Sequence, residues 1–207
     1  MLKILGKSTS INVRKVLWTC AEIGLPFEQE EWGSGVRSTD VDEFRALNPN
    51  AMVPVILDGP VVLWESNTIC RYLATLHGRT DLLPSDALGR ARVEQWMDWQ
   101  IAELNPAWSY AFMALVRRSP EHTDPVAIAA GVQRWNRHLR LLDEHLAKAG
   151  GHAAGPHFTL ADIVLSLSVN RWLLTPMERP SLPTIAAYAE RLRERPGYLR
   201  YAGNGVP

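Results

Sequence analysis

Residues 53–64 read Val53-Pro54-Val55-Ile56-Leu57-Asp58-Gly59-Pro60-Val61-Val62-Leu63-Trp64. Two apolar runs flank Asp-Gly, a dipeptide that suits a tight turn, so this stretch predicts a β-hairpin. Toward the N-terminus, Leu2-Lys3-Ile4-Leu5 predicts a strand, and Val13, Val16, Leu17 and Cys20 then recur at helical spacing up to Gly24. After the Gly24-Leu25-Pro26 break, Phe27 to Glu31 predicts a second strand. Such a strand-helix-strand unit crosses over right-handed onto a parallel sheet, which makes the N-terminal part α/β. A polar segment follows from Trp32 to Asp42. Past the hairpin, Glu65 to His77 returns to helix with Ile69, Tyr72, Leu73 and Leu76 on one face.

From Ser85 onward the pattern is helical throughout. Val93, Met97, Ile101 and Leu104 mark one helix, and Ile128, Val132, Trp135, Leu139, Leu142 and Leu146 alternate by three and four in another. The change of pattern divides the chain into residues 1–78 and 85–207, with a linker over 79–84. Pro106 falls inside the first long helix and predicts a kink, because it removes a backbone donor and its ring crowds the preceding turn. Leu160 to Val169 is apolar on almost every side and predicts a helix buried all round. Leu182, Ile185, Tyr188 and Leu192 predict a last amphipathic helix that ends before Pro196.

Composition narrows the function classes. The 207 residues carry 22 Lys plus Arg and 22 Asp plus Glu, a formal net charge of zero, so no electrostatic argument favours nucleic acid or an anionic membrane. No uncharged stretch is long enough to cross a bilayer, and Met1 to Gly6 lacks the features of a signal peptide; the expected location is the cytoplasm. Cys20 and Cys70, the two cysteines, form no CxxC motif, and Cys20 shares the apolar face of its helix. His138 and His145 lie seven apart without an HExxH or carboxylate pattern, so they are expected on the surface and no metal is expected.

Three patches carry the chemistry: Ser10-Ile11-Asn12-Val13-Arg14-Lys15-Val16, Asn48-Pro49-Asn50-Ala51-Met52-Val53-Pro54-Val55, and Trp64-Glu65-Ser66-Asn67-Thr68-Ile69. In combination and order, over essentially the whole chain, they resemble the cytosolic glutathione transferase family in a bacterial-like form with a serine-type active site. That resemblance implies a thioredoxin-like glutathione-binding domain followed by an all-helical domain, with glutathione as co-substrate.

Ser10 stands where the first helix begins, so its hydroxyl can act as an N-cap. The resemblance implies a catalytic role instead: donation to the glutathione sulfur, which serine-type members place four residues before the Arg14 position. Asn12 matches an asparagine beside the sulfur in some bacterial members, although a first-turn asparagine also has ordinary uses. A free thiol of pKa about 8.5 is only a few per cent ionised at neutral pH, and a fall of ~2 units makes it mostly thiolate, a differential stabilisation of roughly 2.7 kcal/mol. One or two charge-assisted hydrogen bonds and a helix N-terminus supply that.

An ordinary X-Pro bond is trans, whereas the resemblance implies a cis-Pro54 that turns the Val53 backbone toward the cysteinyl part of glutathione. Glu65 and Ser66 end a strand and open a helix, where capping is the alternative to binding the γ-glutamyl ammonium and carboxylate. Ala51 and Met52 depart from the common bacterial pattern. Met52 belongs to the glutathione-binding patch but has no donor for the glycyl carboxylate, for which Gln29, Trp32 and Arg37 are candidates. Phe158-Thr159-Leu160-Ala161-Asp162 looks like the family's buried capping box, with a structural role.

Trp108, Tyr110, Phe112 and Met113 follow Pro106 and resemble in placement the family's hydrophobic-substrate wall; helix packing is the rival reading. The resemblance implies a detoxifying transferase that activates the glutathione thiolate toward a small hydrophobic electrophile, in a homodimer. Glutathione-dependent disulfide or peroxide reduction, and non-catalytic ligand binding or protein docking on the same fold, are the alternatives.

Overall fold

A computed structural model describes residues 1–207. Its sheet runs in the order β2-β1-β3-β4, with β1 at Leu2–Leu5, β2 at Phe27–Glu30, β3 at Val55–Asp58 and β4 at Val61–Trp64. β1 pairs parallel with β2, Leu2 opposite Phe27, through the crossover helix α1 (Ile11–Ile23). β3 pairs antiparallel with β1 and with β4, the latter as the hairpin expected from Asp-Gly. Gly59 makes that turn at φ 57°, a left-handed conformation that glycine enters without steric penalty. A short helix α2 (Asp42–Arg45) and the amphipathic α3 (Ser66–Leu76) complete the α/β part.

The remainder is helical: α4 (Ala87–Trp99), a π-helical segment (Gln100–Leu104), α5 (Asn105–Leu115), α6 (Pro125–Leu146), α7 (Leu160–Leu174), α8 (Pro183–Leu192) and α9 (Pro196–Tyr201). Where a kink is expected, the helix changes to that π-helical segment, which ends two residues before Pro106. Proline supplies no amide hydrogen and its ring displaces the carbonyl of the preceding turn, and wider turns accommodate both. Residues 79–84 are packed rather than loose, because Leu82 and Leu83 are buried and the Leu82 carbonyl accepts from Leu160 N at 3.0 Å.

α7 is buried on every side from Leu160 to Trp172, as its apolar composition requires. Ser166 and Ser168 are tolerated there because their hydroxyls donate to the carbonyls of Ile163 and Val164. The capping box forms: Asp162 Oδ2 accepts from Thr159 N at 2.8 Å. Its Oδ1 also accepts from Ala153 N at 2.8 Å and from the Tyr188 hydroxyl at 2.9 Å, so one carboxylate ties α7 to the 150s loop and to α8. α1 sits between the two parts, with Trp18 packed 5.9 Å from Phe158 and 6.0 Å from Tyr198. Gly197 permits this, since a Cβ there would lie 2.2 Å from Trp18 Nε1.

His138 and His145 are partly exposed, and each also packs against a neighbouring helix. Their spacing aims both across α6 at α4, where His145 stacks 4.2 Å from Trp96 and bonds the Ala153 carbonyl, and His138 lies 5.9 Å from Trp99. No cluster of side chains able to hold a metal ion is present. Cys20 and Cys70 are buried, and burial pushes their thiols up to about 12 and about 11, which leaves them unreactive at neutral pH.

Candidate functional site

A cavity of about 460 Å³ opens where the first turn of α1, the loop before β3 and the β4–α3 junction meet. Asn12, Met52, Val53, Pro54, Glu65 and Ser66 line it, so six residues from three separate sequence patches share one wall. Asn48 supports the loop from beneath: its Nδ2 donates to the Met52 carbonyl at 2.7 Å and its Oδ1 accepts from Asn50 N at 3.0 Å. Ala51 sits at φ 52°, the left-handed conformation that explains why glycine is common there in the resembling family.

Each wall group is left with bonding capacity. Val53–Pro54 is cis, and the Val53 peptide groups take part in no backbone hydrogen bond, as an edge awaiting an extended peptide requires. Ser66, 2% exposed, has a buried hydroxyl with no partner, at the first residue of α3 where free amides and the helix dipole favour an anion. Glu65 precedes it at φ 71°, a strained position for a residue with a side chain, which is the kind of strain that function sustains. Asn12 Oδ1 is likewise buried and unpartnered.

Ser10 occupies the N-cap position of α1 but its side chain makes no capping bond, so the capping alternative lacks its defining interaction. It is partly exposed and does not line the cavity, whereas Asn12 does. The candidates for the glycyl carboxylate are committed elsewhere. Gln29 Nε2 donates to the Gly6 carbonyl and to Glu31, Trp32 Nε1 donates to Glu30, and Arg37 bonds Glu30 and Glu43 while stacking 3.6 Å over Trp32. Asn50 instead reaches the cavity wall, an assignment that the Asn48-Pro49-Asn50 patch could have suggested. Met52 is 65% exposed at the rim and offers contact area without a donor.

The four-residue wall expected on α5 is not one surface. Trp108 and Phe112, one turn apart, are buried in the interhelical core, with Trp108 5.8 Å from Trp135 and 5.4 Å from Phe112. Tyr110 turns the other way onto His122 at 4.8 Å, and neither it nor Met113 lines the cavity. A helix rotates about 100° per residue, so positions 108, 110, 112 and 113 cannot face one direction.

Sequence reasoning passed over Lys15. It is wholly buried, donating to Asn67 Oδ1 at 3.1 Å and to Gln100 Oε1 at 2.8 Å, and so links α1, α3 and the π-helical segment. Burial pushes its ammonium down to about 7, from 10.5 for the free group. Between those two pH values the unfolded chain holds more protons than the folded one, so this group makes stability rise with pH, by up to about 1.4 kcal/mol per unit. Relative to Lys15→Met, the wild type should therefore gain stability toward alkaline pH in denaturant titrations. A difference that stays constant with pH would refute a depressed Lys15.

Comparisons with known proteins place the chain in a family. Residues 9–76 match the family described as glutathione S-transferase, N-terminal domain. The chain is 35% identical over 198 residues to glutathione S-transferase GstB of Escherichia coli strain K12, covering 95% of each chain. It is 31% identical over 210 residues to glutathione S-transferase 3 of Zea mays, covering 96% of this chain and 92% of the other. The crystal structure of a theta class glutathione S-transferase from Xanthomonas axonopodis pv. citri, with glutathione bound, superimposes with a TM-score of 0.90 at 38% identity, covering 97% of this chain and 96% of that one.

Proposed function

Because the chain belongs to the glutathione transferase family, we propose that its cavity holds glutathione with the sulfur at the N-terminus of α1, where Ser10 and Asn12 stabilise the thiolate. The enzyme is a glutathione transferase and glutathione is its co-substrate. In our reading the Val53 peptide groups pair with the cysteinyl unit, Ser66 and the α3 amides take the γ-glutamyl carboxylate, Glu65 takes the ammonium, and Asn50 meets the glycyl end. The carrying observation is that Ser66 Oγ, Asn12 Oδ1 and the Val53 peptide all lack partners within one cavity. Buried polar groups are otherwise almost always paired, so a polar ligand is what completes them.

The thiolate then attacks a small electrophile with an apolar body, a carbon–sulfur bond forming as the leaving group departs with its electrons. A detoxifying role in the cytoplasm as a two-fold homodimer fits this chemistry; the exposed Val62 and Trp64 on the edge strand β4 and Leu76 at the end of α3 are the apolar surface such a dimer covers. Sedimentation at micromolar concentration tests the dimer, and a monomer would refute it. Residues 1–78 and 85–207 serve as the glutathione-binding and second-substrate domains.

Ser66→Ala tests the anchoring role. It should weaken glutathione binding by about tenfold, as the loss of a hydrogen bond to a carboxylate requires, while the pKa of the bound thiol stays near the wild-type value. The thiolate absorbance of bound glutathione across pH, set beside a binding titration, separates the two quantities. A thiol pKa that rises with unchanged affinity would overturn the assignment.

A further inference from the structure

Four cations converge on the helical-domain side of the β1–α1 turn: Lys7 in that turn, Arg14 on α1, Arg117 just past α5 and Arg171 on α7. Arg171 and Arg117 both stand over the Phe112 ring, at 4.1 and 5.4 Å, and Arg171 also lies 4.6 Å over Trp108. Arg14 and the residue preceding Arg171 share one acceptor, since Arg14 and Asn170 both donate to the Val206 carbonyl at 2.9 Å. Unlike Arg37, Arg45, Arg71, Arg79 and Arg195, none of the four enters an ion pair with an Asp or Glu side chain. Glu31, whose charge acts on Lys7, is bonded to Ser8.

Burial makes the grouping unusual. Arg14 is 1% and Arg171 4% exposed, and the buried Nε of each has no partner. Arg14 places its other nitrogens on the main-chain oxygens of Tyr201, Val206 and Pro207, whereas Arg171 has no carboxylate partner and its buried Nε has none of any kind. Burial, with repulsion from Arg117, holds Arg14 down to about 10; burial, with repulsion from Arg14 and Arg117, holds Arg171 down to about 9. Both stay charged at neutral pH. Guanidiniums that repel one another and have no Asp or Glu partner are the arrangement that a bound anion relieves, and the planar guanidinium is the side chain best shaped for a carboxylate. Lys7 lies three residues before Ser10 and Arg14 about one helical turn after it, which brings the cluster beside the position assigned to the sulfur.

We propose that this cluster is the anion-recognising end of the second-substrate site, and that the enzyme selects electrophiles carrying a carboxylate on an apolar body. The inference rests on the placement of the glutathione sulfur given above. For 4-chloro-3-nitrobenzoate the thiolate sulfur bonds to the ring carbon bearing chlorine, chloride leaves with the electrons of the broken bond, and the carboxylate is unchanged. The guanidiniums neutralise that carboxylate and orient the ring.

The test compares 4-chloro-3-nitrobenzoate with 4-chloro-3-nitrobenzamide, each kcat/KM divided by the uncatalysed rate, together with calorimetric binding of the two glutathione conjugates, which requires no turnover. The acid and its conjugate should be preferred about tenfold at low salt, with the preference shrinking as ionic strength rises. Arg117→Gln, at an exposed position that folding tolerates, should bring the preference to within about twofold without changing affinity for glutathione itself; Arg171→Gln should abolish it. Equal treatment of acid and amide by the wild type would overturn the proposal. So would an Arg117→Gln variant that weakens glutathione, because the cations would then hold a carboxylate of glutathione. Failure of the wild type to bind glutathione in the same titrations would instead overturn the site assignment beneath it.

Discussion

Ser10→Ala is expected to raise the pKa of bound glutathione by about 1–2 units and to slow turnover at neutral pH by roughly ten- to a hundredfold, because it removes a hydrogen bond of ~1.5–3 kcal/mol to a charged sulfur. The hydroxyl stands at the N-terminus of α1 and makes no capping bond, so its removal leaves the helix with no lost interaction of its own. Affinity for glutathione should change little, since the proposed anchors of the tripeptide, Val53 and Ser66, are untouched. Raising the pH should recover much of the rate, as hydroxide in the solvent ionises the thiol that the enzyme no longer ionises. The same rise should not rescue Ser66→Ala. Asn12 sets the counter-experiment: it lines the cavity while Ser10 does not, and its Nδ2 can donate to a thiolate there. If Ser10→Ala keeps the wild-type thiol pKa and rate while Asn12→Ala loses them, the amide is the principal partner of the thiolate.

Asp162→Ala is expected to lower stability by at least about 3 kcal/mol, with thiol ionisation unaffected in the protein that folds. The carboxylate is fully buried and accepts from Thr159 N, Ala153 N and the Tyr188 hydroxyl, so its loss leaves three buried donors unsatisfied at ~1–3 kcal/mol each and opens a small void. For a chain of this length that corresponds to a fall in Tm of about 6–12 °C. Its effect exceeds that of an ordinary exposed cap, worth ~1 kcal/mol, because one residue joins α7, α8 and the 150s loop. Asp162→Asn should recover part of the loss by keeping one acceptor oxygen. Unchanged unfolding with abolished turnover would show that the carboxylate acts in chemistry instead.

Features that depend on near neighbours along the chain were legible in the amino-acid order. The hairpin at residues 55–64 follows from apolar runs about Asp-Gly, the capping box from Thr159 and Asp162 three apart, and the buried course of α7 from its composition. The three patches that supply the cavity wall were also visible, and the resemblance carried their roles. Several outcomes required the packed molecule: the pairing of Asn48 with Met52, the free hydroxyl of Ser66, Lys15 held between Asn67 and Gln100, and the engagement of Arg37 with Glu30 and Glu43. The separation of Trp108 and Phe112 from Tyr110, and the meeting of Lys7, Arg14, Arg117 and Arg171, belong with them. A turn, a cap or an apolar stripe is decided by dihedral preference and spacing within a few residues, so the sequence alone determined those. Whether a polar atom is paired, and which charges share a dry space, depends on how distant segments fill one volume, and only the tertiary structure decided that.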